Sequence, residues 1–260
     1  MERVLGKKQS IRNEDWLKAV KRIEELVSRE ELDEKVRSTI EEIRHTTGGK
    51  KAAYAWSAGK DSLVLGEICR RAGIVNCMMG ICSLEYPAFM KWVDKHKPKE
   101  LEIINTGQDL EWLSKNPSML FPQDSATAAK WFSIVQHRAQ AKNYKENNLD
   151  VILLGRRRAD GNYCGKGFNI YSNRNGVTRY SPLASWSHEE ILAFIHYHKV
   201  SMPPIYRWKN GYLCGTHPWP ARQWTGSEEN GWREVYEIDQ SIVCDAAKWI
   251  DGAAKFLNSL

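Results

Sequence analysis

An apolar run, a turn of small residues and a helix follow one another at Ala52-Ala53-Tyr54-Ala55-Trp56, Ser57-Ala58-Gly59-Lys60-Asp61-Ser62 and Leu63-Val64-Leu65-Gly66-Glu67-Ile68-Cys69. No other stretch limits the fold as strongly. An apolar run this short, bounded by a turn, reads as a buried strand, and the stretch after the turn reads as a helix. The alternation continues with Cys77-Met78-Met79-Gly80-Ile81-Cys82 as a second strand and residues 87–96 as a helix. Leu101-Glu102-Ile103-Ile104 is a third strand, residues 126–146 a helix, and Val151-Ile152-Leu153-Leu154 a fourth strand. Strands alternating with helices imply right-handed βαβ units, a mainly parallel sheet and an α/β, Rossmann-like fold. Ligands of such sheets bind beyond the carboxyl ends of the strands.

The flanks read differently. Trp16, Ala19, Val20, Ile23 and Val27, then Val36, Ile40 and Ile43, fall at helical spacing, with Asp15 as the expected N-cap and Gly48-Gly49 as the stop. Residues 1–49 are therefore expected to form a helical appendage, 50–226 the α/β domain and 227–260 a C-terminal helical segment. Residues 156–180 are rich in Gly, Asn and Arg and read as a long loop, with room for a hairpin. Ser187 and Glu190 form a capping box for a helix over 187–200, stopped by Pro203-Pro204.

Composition excludes whole classes. With 42% hydrophobic and 27% charged residues the chain is globular, neither disordered nor fibrous. No apolar run approaches the roughly 20 residues that span a bilayer. The first residues lack the apolar core of a secretory signal, so a cytoplasmic protein with reduced thiols is expected. A formal charge of +6 suits an anionic ligand. The six cysteines form no C-x-x-C pair, so neither a metal site nor an iron–sulfur cluster is expected. The 11 Trp supply packing surface, or rings on which bases stack.

The turn at 57–62 carries the chemistry. Small residues between strand and helix expose backbone N–H groups, and the helix N-terminus adds positive potential. Ser57 and Ser62 add hydroxyls and Lys60 a cation, a set that suits phosphate. The spacing departs from G-x-x-x-x-G-K-[ST], because the first Gly is missing and the Lys comes early. Arg156, Arg157 and Arg158 follow the fourth strand, on the rim where a ligand should sit, and Arg holds phosphate bidentately.

Ser57-Ala58-Gly59-Lys60-Asp61-Ser62 resembles the PP-loop, S-G-G-x-D-S, of the adenine-nucleotide α-hydrolase superfamily, with Ala58 in place of a Gly. With a negative φ, Ala would fit there. The superfamily includes ATP pyrophosphatases and the adenylylsulfate and phosphoadenylylsulfate (PAPS) reductases. Gly155-Arg156-Arg157-Arg158-Ala159-Asp160, Pro182-Leu183-Ala184-Ser185-Trp186-Ser187, Pro204-Ile205-Tyr206 and Thr216-His217 with Arg222-Gln223-Trp224 are similar to ordered motifs of the PAPS reductase branch. Pro218, Trp219 and Pro220 depart locally.

The resemblance implies nucleotide contacts from Ser57, Ala58, Gly59, Lys60, Asp61, Ser62, Gly155, Arg156, Arg157 and Arg158. It implies catalytic roles for Lys60 and Asp61, and substrate contacts from His217 and Arg222. It also implies ATP with Mg²⁺, chemistry at the α-phosphate, an unidentified acceptor, a place in sulfur metabolism and a homo-oligomer. The branch's reductive motif, like E-C-G-L-H, is missing. Cys214 lies in a Gly-bounded stretch, and Cys244 is expected on an apolar helix face. Cluster-free PAPS reductases typically lose the loop's Lys and Asp, both kept here as in ATP users. Three readings stand: an ATP pyrophosphatase or adenylyltransferase; a thiol-dependent PAPS reductase releasing sulfite; and a module binding nucleotide or nucleic acid without turnover.

Overall fold

A computed structural model describes residues 5–6, 11–172 and 176–260. Residues 173–175 of the expected loop lie outside the described residues. Helices α1 (Asn13–Lys21), α2 (Ile23–Leu26) and α3 (Arg29–Thr47) lead to β1 (Ala52–Ala55) and α4 (Lys60–Ala72). Next come β2 (Cys77–Ile81), α5 (Pro87–His96), β3 (Leu101–Asn105), α6 (Leu110–Lys115), α7 (Ser125–Phe132), α8 (Arg138–Asn147) and β4 (Val151–Leu153). Strands β5 (Ile170–Ser172) and β6 (Thr178–Tyr180) precede α9 (His188–Tyr197). Helices α10 (Gly211–Cys214), α11 (Glu228–Ile238), α12 (Gln240–Ala246) and α13 (Asp251–Asn258) follow.

The sheet has six strands in the order β3-β2-β1-β4-β6-β5. Strand β1 lies parallel to both β2 and β4, with Tyr54 opposite Cys77 and Ala53 opposite Ile152. Strand β6 is parallel to β4 and antiparallel to β5. The α/β expectation therefore holds, with one antiparallel edge. Ala53, Tyr54, Val151, Ile152 and Leu153 are buried, because these central strands are covered on both faces. The strand order reverses between β1 and β4, the kind of switch point beside which open α/β sheets bind ligands. The turn after β1 is residues 57–62, and the residue after Leu154 is Gly155. Among the described residues no helix is long and apolar enough to cross a membrane.

The expected division at residues 49 and 226 is not the one observed. One compact unit comprises Met1–Met79, His96–Glu102 and Gln140–Pro203; the other comprises Gly80–Lys95, Ile103–Ala139 and Pro204–Leu260. The N-terminal helices belong to the first unit rather than forming an appendage. Trp16, Ala19, Ile23, Leu32, Val36 and Ile43 are buried, and α1 and α3 pack on α9 while α3 also packs on α4. Lys35 Nζ reaches Glu190 Oε1 at 2.7 Å. In the second unit, Trp232 packs on Phe121 and Trp219, with ring centroids 5.0 and 5.6 Å away.

Several boundaries shift for local reasons. The helix expected over 15–45 breaks at Val27, which is extended, and Ser28 restarts it by accepting from the Glu31 N–H. Arg12, not Asp15, is the first N-cap; Asp15 sits at N3 and its carboxylate accepts from the Arg12 N–H at 3.0 Å. A π-helical turn, Ser133–His137, interrupts the helix over 126–146. The C-terminal helix is three helices, broken at the extended Asp239.

The capping box before α9 is present as expected: the Glu190 N–H donates to Ser187 Oγ at 3.1 Å, and the Ser187 N–H to Glu190 Oε2 at 2.6 Å. An N-cap hydroxyl is worth about 1 kcal/mol. Ser187→Ala should lower the urea midpoint by an amount equivalent to about 1 kcal/mol, and Ser187→Thr should restore most of it.

Candidate functional site

The loop after β1 is held by its own polar groups. The Trp56 N–H donates to the Met78 carbonyl at 2.8 Å, continuing the pairing of β1 with β2. The chain then turns. Ser62 Oγ accepts from the Ser57 N–H at 3.0 Å and donates to the Gly59 carbonyl at 2.9 Å, while Ser57 Oγ lies 3.3 Å from Ser62 Oγ. The two serines therefore fasten the loop to itself. Gly59 is the N-cap of the 13-residue α4, so the loop ends where helix N–H groups and the dipole favour an anion.

Ala58 is fully buried with φ of 55°. The negative φ expected for it is not adopted. The left-handed conformation costs an L-residue about 1–2 kcal/mol, so the replacement of the PP-loop glycine is not mild. Here the turn imposes the conformation on a residue that disfavours it.

The strand β4 exit touches this loop. A Cβ on Gly155 would lie 3.3 Å from the Asp61 carbonyl carbon, so glycine permits the close approach. Two residues later Arg157 points inward and is completely buried. Its Nε lies 2.8 Å from Asp61 Oδ1 and its Nη2 2.9 Å from Asp160 Oδ2. Its Nη2 is also 3.1 Å from His188 Nδ1, and its Nη1 donates to the Trp186 carbonyl at 3.4 Å. Lys60 Nζ lies 2.7 Å from Asp61 Oδ2. Asp61 thus joins two cations, one on each oxygen, which answers why a carboxylate sits in an anion site.

His188 is buried, and its Nε2 has no hydrogen-bond partner among the described residues. Burial, then the Arg157 charge, push its pKa down to about 4. The ring is neutral at pH 7, so Nδ1 is free to accept from Arg157. The Trp16 ring meets it edge-on, with centroids 4.8 Å apart.

The sequence-predicted residues therefore divide. Ser57, Ala58, Gly59, Lys60, Asp61, Ser62, Gly155 and Arg157 come together in one unit. Arg157, expected beside Arg156 and Arg158 as a nucleotide ligand, lies inside and is engaged by Asp61, Asp160 and His188. Arg156 donates to the Tyr171 hydroxyl at 2.9 Å, and Arg158 to Asn169 Oδ1 at 2.7 Å. Of the three, only Arg158 is exposed.

His217 and Arg222 belong to the second unit. His217 is half-buried. Arg222 is 2% exposed and tied to Glu234 Oε2 at 2.9 Å, the Lys209 carbonyl at 2.6 Å and the Tyr86 hydroxyl at 3.4 Å. Its contacts brace α11 and the residues before α10 within that unit.

Cys214 is buried in α10, and burial raises its pKa; Cys244, expected on an apolar face, is exposed. Among the described residues no group of three His, Cys, Asp or Glu side chains is placed to hold a metal ion. Both Asp61 oxygens face cations, so these residues do not fit the Mg²⁺ expectation.

Sequence reasoning missed Trp16 and His188 and gave Asp160 no role. Asp160 was legible as the partner three residues after Arg157. His188 follows the Ser187 cap, but nothing in its neighbourhood marks it. Trp16 carries no local signal beyond its helical period.

The phosphoadenosine phosphosulfate reductase domain matches residues 51–213, more than half of the chain. A phosphoadenosine 5'-phosphosulfate reductase of Vibrio parahaemolyticus is 23% identical over 124 residues, covering 48% of this chain and 47% of its own. One from Vibrio vulnificus is 21% identical over 142 residues, covering 54% of each. The chain thus spans about half the length of the curated relatives it matches. The crystal structure of a PAPS reductase from Candida auris, a phosphate complex, aligns with a TM-score of 0.50 at 17% identity, over 70% of this chain and 94% of that one. That likeness concerns the fold.

The His188 environment yields a pH prediction. Its folded pKa of about 4 lies below the ordinary 6.5. Between those values the unfolded chain binds a proton that the folded chain does not, so stability falls as pH drops through this window. Denaturation of wild type and His188→Asn at pH 4 to 7 should show the wild type losing stability more steeply. Parallel profiles would mean that His188 is not held neutral.

Proposed function

The chain belongs to the phosphoadenosine phosphosulfate reductase family, and from that premise we propose that it is an enzyme holding an adenine nucleotide on the loop 57–62 and acting at the α-phosphate. The nucleotide is ATP. An acceptor nucleophile attacks the α-phosphorus, the bond to the bridging α–β oxygen breaks, and its electron pair leaves with pyrophosphate. The acceptor becomes adenylylated and gives up its proton to solvent.

One observation carries this reading: Lys60 and Asp61 are both present and paired at the N-terminus of α4, braced by the buried Arg157. Lys60 supplies charge to the departing pyrophosphate, and the first turn of α4 adds N–H donors. Asp61 orients Lys60 and links it to Arg157. Arg158, exposed on the same strand exit, offers a further cation to the nucleotide. Arg157 contributes by holding Asp61 rather than by touching phosphate.

The thiol-dependent reading has one observation in its favour, the exposed Cys244. Its neighbour Asp245 pairs with Lys248 at 2.6 Å, so that carboxylate and that cation engage each other. Cys214 is buried and its pKa is raised by burial.

Lys60→Ala should weaken ATP binding in calorimetry by roughly ten- to a hundredfold, the loss of one charge-assisted hydrogen bond, with an unchanged circular dichroism spectrum. Products decide between the two chemistries. Pyrophosphate release from ATP that survives a Cys214→Ser/Cys244→Ser double substitution is expected. Sulfite release from PAPS with thioredoxin, abolished by either Cys substitution, would establish the reductase instead.

A further inference from the structure

Lys60 is the loop's cation, yet it is only 5% exposed. Besides Asp61, its ammonium faces the Trp16 ring, 5.0 Å from the centroid. Trp16 comes from α1 and is itself 1% exposed. Its ring is met edge-on by His188, at an interplanar angle of 82°. His188 is engaged by Arg157, Arg157 by Asp61, and Asp61 by Lys60. The contacts close on themselves: Trp16, His188, Arg157, Asp61, Lys60 and back to Trp16. Four separate stretches of sequence, α1, the exits of β1 and β4 and the start of α9, contribute to this ring of contacts.

A flexible lysine beside a phosphate site would sample many rotamers in water. A ring face supplies negative electrostatic potential where solvent is excluded, and the attraction strengthens as the cation is desolvated. The edge-on imidazole fixes the ring's tilt, and the neutral state of His188 keeps a second positive charge away from Lys60.

We propose that Trp16 is a positioning residue for Lys60: its ring holds the ammonium against Asp61 at the mouth of the loop, so that the cation is already in place when an anion arrives. The N-terminal helix thereby becomes part of the nucleotide site. The consequence for affinity rests on the nucleotide reading above; the clamp itself is a property of the ligand-free protein.

The test has two arms. In the ligand-free protein, an amine-acylating reagent followed by mass spectrometry reads the reactivity of Lys60 against the surface residues Lys21 and Lys130. Trp16→Met keeps an apolar side chain but removes the ring face, and should raise Lys60 labelling at least roughly threefold. Trp16→Phe retains a ring face and should stay within about twofold of wild type. His188→Asn removes the brace instead of the ring and should also raise labelling; it serves if Trp16→Met does not fold. Unchanged Lys60 labelling in the folded variants would overturn the proposal.

The second arm titrates ATP and inorganic pyrophosphate. Trp16→Met should weaken both by roughly three- to thirtyfold, Trp16→Phe should rescue, and Trp16→Met should add nothing on a Lys60→Ala background. An equal loss on that background would mean that Trp16 acts through the fold alone, which also overturns the proposal. Wild-type protein that binds neither probe would defeat the nucleotide reading, and the labelling arm would still decide the clamp.

Discussion

The buried guanidinium of Arg157 is the interaction on which the site depends. It has no exposed surface, and it meets two aspartates and a neutral histidine. A buried cation is tolerated only when its hydrogen-bonding capacity is matched. Asp61 comes from the PP-loop, Asp160 from the strand exit and His188 from the first turn of α9, so satisfying Arg157 fixes three segments relative to one another. Removing one member of such a set leaves an uncompensated charge, at a cost of roughly 3–5 kcal/mol. The Pro182–Ser187 stretch has its place in the same scheme. The Trp186 carbonyl accepts from Arg157, its indole N–H lies 3.2 Å from Thr39 Oγ1, and Ser187 caps the helix that delivers His188.

This division of labour changes the meaning of the arginine triplet. Position after a strand made all three look like anion ligands. In the folded chain the three differ: Arg157 is buried, Arg156 half-buried and Arg158 exposed. Arg157 braces Asp61, which in turn meets Lys60. The strain at Ala58 belongs with it. A left-handed alanine persists only where the surroundings over-determine the backbone, and the Ser57–Ser62 contacts together with the Gly155 approach to Asp61 supply that constraint.

Much of this was legible in the residues. The parallel sheet followed from apolar runs spaced by helices, and the loop from small residues between Trp56 and Leu63. The capping box at Ser187 and Glu190 announced α9. Local signals of that kind survive folding because they concern neighbours in sequence. The failures share the opposite character. The N-terminal segment reads as an appendage because an amphipathic helix does not say what its apolar face covers; here Trp16 covers Lys60 and His188. Cys244, expected on an apolar helix face, is exposed, since a shift of one or two positions around a helix decides burial. The π turn at Ser133–His137 left no mark at all. Long-range partners such as His188 become visible only when the strand ends are brought together.

The central claim is that the loop 57–62 receives the phosphates while Arg157 stays in its buried network. An experimental structure of the protein with a non-hydrolysable ATP analogue tests it most directly. The account predicts phosphate oxygens at the N-terminus of α4, Lys60 Nζ within hydrogen-bond distance of one of them, and Arg157 still engaged with Asp61, Asp160 and His188. A nucleotide bound away from this loop, or an Arg157 swung out to hold phosphate, would contradict it.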